Sequence, residues 1–235
     1  MPTVSLAQFD ESQLDALVQL VGPVDDTALW NSLAKTVIPT TRSQELSVVL
    51  GWLRDFDTVT VNESTLWARA IYPLLVLAEE ERVRAWSQVP VRATLGGVEL
   101  AGVVDGVLAR EGVVGGQATP PFLLVVETKR GIDATDPRAQ LLAAMLASIE
   151  AERAHGHPPS AIERFGCFTV GDTWKFLHAV ERVIDGTPSR AMSVSWSRAF
   201  SERLEAEAIL ATLRGIVGRE IAAEQQARLN ATPCA

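Results

Sequence analysis

Between two strand-like runs, FLLVVETKR and RFGCFTV, the chain carries one clear helix, TDPRAQLLAAMLASIEAERAHG. Asp136 is placed to cap it, Pro137 suits its first position and a glycine follows its end. Two further strand-like runs, QVPVRATL and VELAGVVDGVLAR, precede this unit and meet at Gly96-Gly97, a turn signal. Strands joined by short turns, followed by a crossover helix and another strand, imply a mixed sheet with helices on its faces.

The rest of the chain falls around that unit. Residues 1–57 read as a helical extension, with FDESQLDALVQLVG, DDTALWNSLAKTVI and TRSQELSVVLGWLRDF as three helices. VNESTLWARAIYPLLVLAEEERVRAW reads as one long apolar helix, capped by Asn62 and kinked or broken at Pro73. RFGCFTV and TWKFLHAVER flank Gly171-Asp172 and read as a hairpin. MSVSW is a short last strand before a closing helical stretch, which covers the sheet or supplies a dimer contact. The expected division is 1–57, helical extension; 58–185, α/β core; 186–235, strand and helix packing on the core.

Composition narrows the function. The 235 residues are 47% hydrophobic, enough for one sizeable core. No window is long and apolar enough to span a bilayer, and MPTVSLAQFDESQL lacks the basic start of a signal peptide. No membrane association and a cytoplasmic protein are therefore expected. Cys167 and Cys234 are too far apart in sequence to suggest a disulfide framework or a zinc site. His155 and His157 read as a solvated loop, with a metal pair as the lesser alternative. The net charge of −8 counts against a chain that grips nucleic acid unaided.

The chemistry concentrates where FLLVVETKR ends. Side chains alternate along a strand, so Glu127 and Lys129 share a face and Thr128 points away. A carboxylate beside an ammonium can hold a hard divalent cation and offset phosphate charge, but such triplets also occur by chance as surface ion pairs. Asp105 lies mid-strand in VELAGVVDGVLAR, where an acid is costly unless paired or bound to metal. Gly102 and Gly106 beside it permit a bulge or a close backbone approach, so Asp105 is either a bulge acid held by backbone amides or a ligand. Gln140 lies near the start of the crossover helix, as a site residue or an ordinary exposed glutamine. The tryptophans at 30, 52, 67 and 86 read as core, and Trp174 as hairpin packing or a surface for base stacking.

Asp105, then Glu127-Thr128-Lys129 after an apolar run, then Gln140 on a helix, resembles the PD-(D/E)XK nuclease superfamily. The motifs GVVDGVL, LLVVETKRG and RAQLLAAML, with the later hairpin FGCFTVGDTWKFLHAV, are most similar to the N-terminal nuclease domain of type I restriction enzyme R subunits and small free-standing relatives. The resemblance covers about residues 60–180. It implies a restriction-endonuclease-like α-β-β-β-α-β core and a metal-dependent nuclease that hydrolyses DNA phosphodiester bonds. It also implies Asp105 and Glu127 as ligands of Mg²⁺ or Mn²⁺, Lys129 positioning the attacking water, and Gln140 as the glutamine that follows the motif. Glu63 matches the acid many members carry on the helix before the first core strand, although an acid in a first helical turn is favoured anyway.

Two features depart from the pattern: Val104 stands where a proline is common, and no P-loop motif of a helicase motor occurs. Lys129, Arg130 and Arg138 are the local candidates for nucleic-acid contact, with Arg82, Arg84 and Arg92 further upstream. The partner implied is DNA, with RNA as an alternative, bound weakly by the chain alone. The rival reading is a catalytically inactive binding or assembly module of the same fold, acting with a protein partner or as a homodimer.

Overall fold

The structure, a computed structural model, describes residues 2–54, 56–58, 60–112, 116, 118–131, 136–154, 161–183 and 190–231. His155, His157 and Cys234 lie outside the described residues.

The described residues form an α/β fold around one mixed sheet of eight strands. In chain order these are β1 (Thr3–Ser5), β2 (Gln19–Val21), β3 (Val83–Leu95), β4 (Val98–Glu111), β5 (Ala118–Lys129), β6 (Ala161–Val170), β7 (Thr173–Val183) and β8 (Arg190–Ser201). The strands are hydrogen-bonded in the order β1-β4-β5-β6-β7-β8-β2, and β3 pairs with β4. As expected, β4 and β5 are antiparallel neighbours. The crossover helix, α6 (Arg138–Ala154), joins β5 to the parallel strand β6 and packs on the sheet. Asp136 accepts the Arg138 N–H at 3.0 Å, so the helix opens just after the expected cap. Gly171-Asp172 turns the β6–β7 hairpin, with Gly171 at φ +59°.

Each face of the sheet has its own apolar core. One contains Leu66, Leu74, Leu108, Leu124, Val126, Phe165, Trp174 and Phe176, beneath α3 (Thr40–Leu53) and α7 (Glu202–Ala231). The other contains Leu6, Leu14, Leu100, Val104, Val107 and Val125, beneath α1 (Glu11–Leu17) and α6. Burial on both faces explains why FLLVV has no polar alternation.

Three local expectations are corrected. The N-terminal stretch is not wholly helical: besides α1, α2 (Thr27–Leu33) and α3, it contributes β1 and β2. These three-residue strands pair in parallel with β4 and β8, a stabilisation invisible to local propensity. The long apolar helix is shorter than expected; as expected it is broken beside Pro73, into α4 (Glu63–Leu66), a π-helical turn (Trp67–Ile71) and α5 (Tyr72–Leu77). Pro73 cannot donate the hydrogen bond an unbroken α-helix would require of it, and the π turn just before it accommodates that loss. The segment ERVRAW mostly belongs to β3, because pairing with β4 outweighs the helix preference of its charged residues. Trp52 is 54% exposed rather than core, whereas Trp30 and Trp174 are buried. Trp174 donates its indole N–H to Glu202 at 2.9 Å, which makes it a packing residue.

No described helix is long and apolar enough to cross a membrane.

Candidate functional site

β4 changes partners halfway along. Its C-terminal half pairs with β5, and that ladder ends with Gly106 opposite Val126. Its N-terminal half pairs with β1 instead, with Ala101 opposite Ser5. β5 continues past the end of the shared ladder, and Glu127, Thr128 and Lys129 pair with β6. The sheet therefore opens as a fork between β4 and β5. Asp105 and Glu127 are the first residues beyond the last shared rung, one on each prong.

Asp105 closes the base of the fork with its side chain. Its Oδ2 accepts the backbone N–H of Thr128 at 2.7 Å, a bond a neighbouring strand would otherwise supply. The Gln88 side-chain amide, on β3, donates to Oδ1 at 3.4 Å, a long contact. Across the fork Glu127 is 1% exposed. Gln140, on the first turn of α6, donates to Glu127 Oε2 at 2.9 Å. Among the described residues, Glu127 Oε1 has no hydrogen-bond partner.

Glu63 approaches from the helical side. Asn62 caps α4 by accepting the Thr65 N–H at 2.8 Å, which sets where Glu63 begins the helix. Four residues on, the Trp67 ring lies against Gly106, where an added Cβ would come within 2.3 Å of it. The Trp67 indole N–H donates to Ser87 Oγ at 2.8 Å, and Ser87 donates to the Asp105 carbonyl at 3.4 Å. Residues four apart share a helix face, so seating Trp67 on Gly106 turns Glu63 toward the fork. Gly106 thus serves close packing, as its place beside Asp105 suggested.

The electrostatics follow from this crowding. Burial raises the Glu127 pKa from the usual 4.5 to about 8, and the Asp105 and Glu63 charges add to the rise while Lys129 opposes it. Burial likewise raises Asp105, against the Thr128 N–H and Lys129, which favour its ionised form. Of the five residues singled out from sequence, Asp105, Lys129, Gln140 and Glu63 are each within hydrogen-bond or electrostatic reach of the fifth, Glu127.

The basic candidates are not gathered in the same way. Arg130 is exposed just past the end of β5. Arg138 is held by Asp136, with Nε 2.8 Å from Oδ2. Arg84 lies opposite Ala109 and Arg92 opposite Ala101, each about 13 Å along β4 from the level of Asp105. Arg84 donates to the Glu81 carbonyl and Arg92 pairs with Glu99, both at 2.7 Å. Arg82 donates to the Glu111 carbonyl at 3.2 Å, near the far end of β4.

Among the described residues, no group of three or more His, Cys, Asp or Glu side chains is arranged to hold an ion. Two carboxylates nonetheless suit Mg²⁺, which keeps several waters and commonly takes one or two protein carboxylates together with substrate phosphate oxygens. The orphaned Glu127 Oε1, beside a second acid, is an acceptor that fits such an ion. Ser87 and Gln88 also reach Asp105 from the neighbouring strand, and nothing in the dipeptide itself signals that role. No protein-family model and no curated protein matches the chain.

Proposed function

We propose that the chain is a metal-dependent nuclease that hydrolyses DNA phosphodiester bonds, with a fork of the restriction-endonuclease type. One observation carries this reading: a buried glutamate with an unpartnered oxygen faces a second acid where the sheet divides. Such an acid pair is unfavourable unless a cation joins it. Asp105 and Glu127 would hold Mg²⁺ or Mn²⁺, with Glu63 as a further acid close by. When bound, that ion supplies positive charge to stabilise the charge developing on the phosphate.

The chain's own groups divide the remaining work. Gln140 holds Glu127 Oε2 and leaves Oε1 without a hydrogen-bond partner among the described residues. The Thr128 N–H fixes Asp105. Lys129, sharing a strand face with Glu127, orients the attacking water and offsets phosphate charge. Without a cation Glu127 keeps its proton near neutral pH, so loading the site expels a proton.

A non-catalytic module acting with a protein partner is the second reading. The charge of −8 and the dispersal of Arg82, Arg84 and Arg92 favour it. Incubating the purified chain with single- and double-stranded DNA and RNA, with Mg²⁺ or Mn²⁺ and with chelator, separates the two. Cleavage that requires metal and is lost in Lys129→Met supports the nuclease. No cleavage of any form by a folded chain supports the module. DNA affinity should be weak at physiological salt and fall steeply as salt rises, as checked by a binding titration.

A further inference from the structure

We infer that Gln88 is a positioning residue for Asp105, and that its unusual backbone is retained for that task. The inference rests on the metal-site reading above. Gln88 sits in the middle of β3 with φ +54°. Glutamine is disfavoured in this left-handed region, where glycine is at ease. Glu81, the other non-glycine with positive φ among the described residues, lies in the turn before β3, where such a conformation is ordinary.

The left-handed residue has a structural consequence. Val83 and Ala85 enter one core, while Val89, Val91, Ala93 and Leu95 enter the other. All six positions are odd-numbered, so the alternation of β3 reverses between Ala85 and Val89. β4 reverses at the same level: Leu100 and Val104 share a core with Val107 and Ala109. Backbone pairing continues on both sides, with Ser87 opposite Gly106 and Val89 opposite Val104. Between those rungs stand Gln88 and Asp105, which meet through their side chains.

That meeting completes the hold on Asp105. Thr128 fixes one carboxylate oxygen and Gln88 reaches the other, which sets the plane of the group. Ser87 anchors the Asp105 carbonyl and is tied to Trp67, one turn beyond Glu63. Gln88 is exposed, so apolar burial does not account for keeping a strained glutamine there. Strained backbone persists where the surroundings demand it, most often at functional sites. Partners that orient metal ligands affect affinity without touching the ion.

Two substitutions separate this role from a structural one. Q88A keeps the backbone penalty and removes the amide; Q88G removes both. Mn²⁺ affinity of the full chain is measured by titration calorimetry, and melting temperature by circular dichroism, with D105N as control. The expected result is an Mn²⁺ affinity lower by about tenfold in both variants. The melting temperature should be unchanged in Q88A and higher by about 2 °C in Q88G. Mn²⁺ affinity equal to that of the unaltered chain in both variants overturns the role of Gln88 and leaves the metal site standing. Affinity that falls only in a variant with a lowered melting temperature also overturns it, by making Gln88 structural. Absence of Mn²⁺ binding by the unaltered chain overturns the metal-site reading and this inference with it.

Discussion

Two of the clusters of ionisable groups on this sheet are built on opposite principles. At the fork, the Asp105 and Glu63 charges act on Glu127 against the cation Lys129, and Glu127 Oε1 is left without a partner among the described residues. At the other cluster, charges alternate and each is answered. His178 on β7 contacts Asp26 through Nδ1 at 2.7 Å and Glu163 through Nε2 at 2.8 Å. Arg219 on α7 donates to the same Glu163 at 2.8 Å. Phe165 stacks on the His178 ring with centroids 5.0 Å apart. A histidine with a carboxylate on each ring nitrogen donates from both, as imidazolium.

The pKa directions record the contrast. Hydrogen bonding to His178 lowers Asp26 and Glu163, with Arg219 also lowering Glu163. Burial pulls His178 down, but its bonds to Glu163 and Asp26 outweigh that and hold it above the usual 6.5. Glu127 and Asp105 both move up. The clamp stabilises the fold by joining the approach to α2, strands β6 and β7, and α7. The fork is unfavourable as it stands, and that unmet demand is what a bound cation would satisfy.

The sharpest test of the contrast is Asp105→Asn. It keeps an acceptor for the Thr128 N–H but removes the charge. Metal-dependent cleavage should vanish and Mn²⁺ affinity fall at least about a hundredfold, while the melting temperature stays equal or rises. Asp105→Ala is the poorer test, because it also strands a part-buried N–H, at a cost of about 1–3 kcal/mol.

Glu127→Gln should stabilise the fold at pH 8. A carboxyl raised from 4.5 to about 8 contributes stability that is full below the unfolded value and lost as pH rises through the folded one. The loss across that window is at most about 5 kcal/mol, and the glutamine variant should lack it in denaturant titrations at pH 5 and pH 8. Retention of the full pH slope in the variant would show that the fork acids are not the source.

His178→Ala should act the other way, lowering stability near pH 6 by about 2–3 kcal/mol while leaving Mn²⁺ affinity unchanged. The stability His178 contributes is fully present below the usual 6.5 and is lost as pH rises through its higher folded value. The difference between the variant and the parent in urea titrations should therefore shrink at alkaline pH. Altered metal affinity would join the two clusters and break the comparison.

The smallest effect is expected for Gln140→Ala. It frees Glu127 Oε2 from its one described hydrogen-bond donor, and should lower Mn²⁺ affinity by up to about tenfold with little change in melting temperature. An unchanged affinity would make Gln140 a helix residue that only happens to touch the site.

Much of the fork was legible because its chemistry contradicts its surroundings. Asp105 stands out in VELAGVVDGVLAR, and Glu127 and Lys129 end an otherwise apolar run. Gln140 follows from the short path between β5 and the start of α6, whereas Glu63 came only from the family resemblance, since an acid in a first helical turn is favoured anyway. The clamp was not legible. His178 sits in an apolar stretch, and its two carboxylates come from distant positions with no distinguishing motif. Arg138 looked available for nucleic acid, but Asp136 two residues earlier holds it. Trp52 reads as core from its helical spacing, but the fold leaves it 54% exposed.

Sequence alone determined the alternation of strands with one crossover helix, and the residue types gathered at the fork. Those are local properties: hydrophobic runs, turn residues, caps, and acids where apolar residues were expected. The tertiary structure decided that β4 would exchange β5 for β1, that β3 and β4 would reverse their faces at Gln88 and Asp105, and that Trp67 would seat on Gly106. Strand pairing and face reversal depend on which distant backbone arrives to take each N–H and carbonyl. No run of neighbouring side chains encodes that arrival.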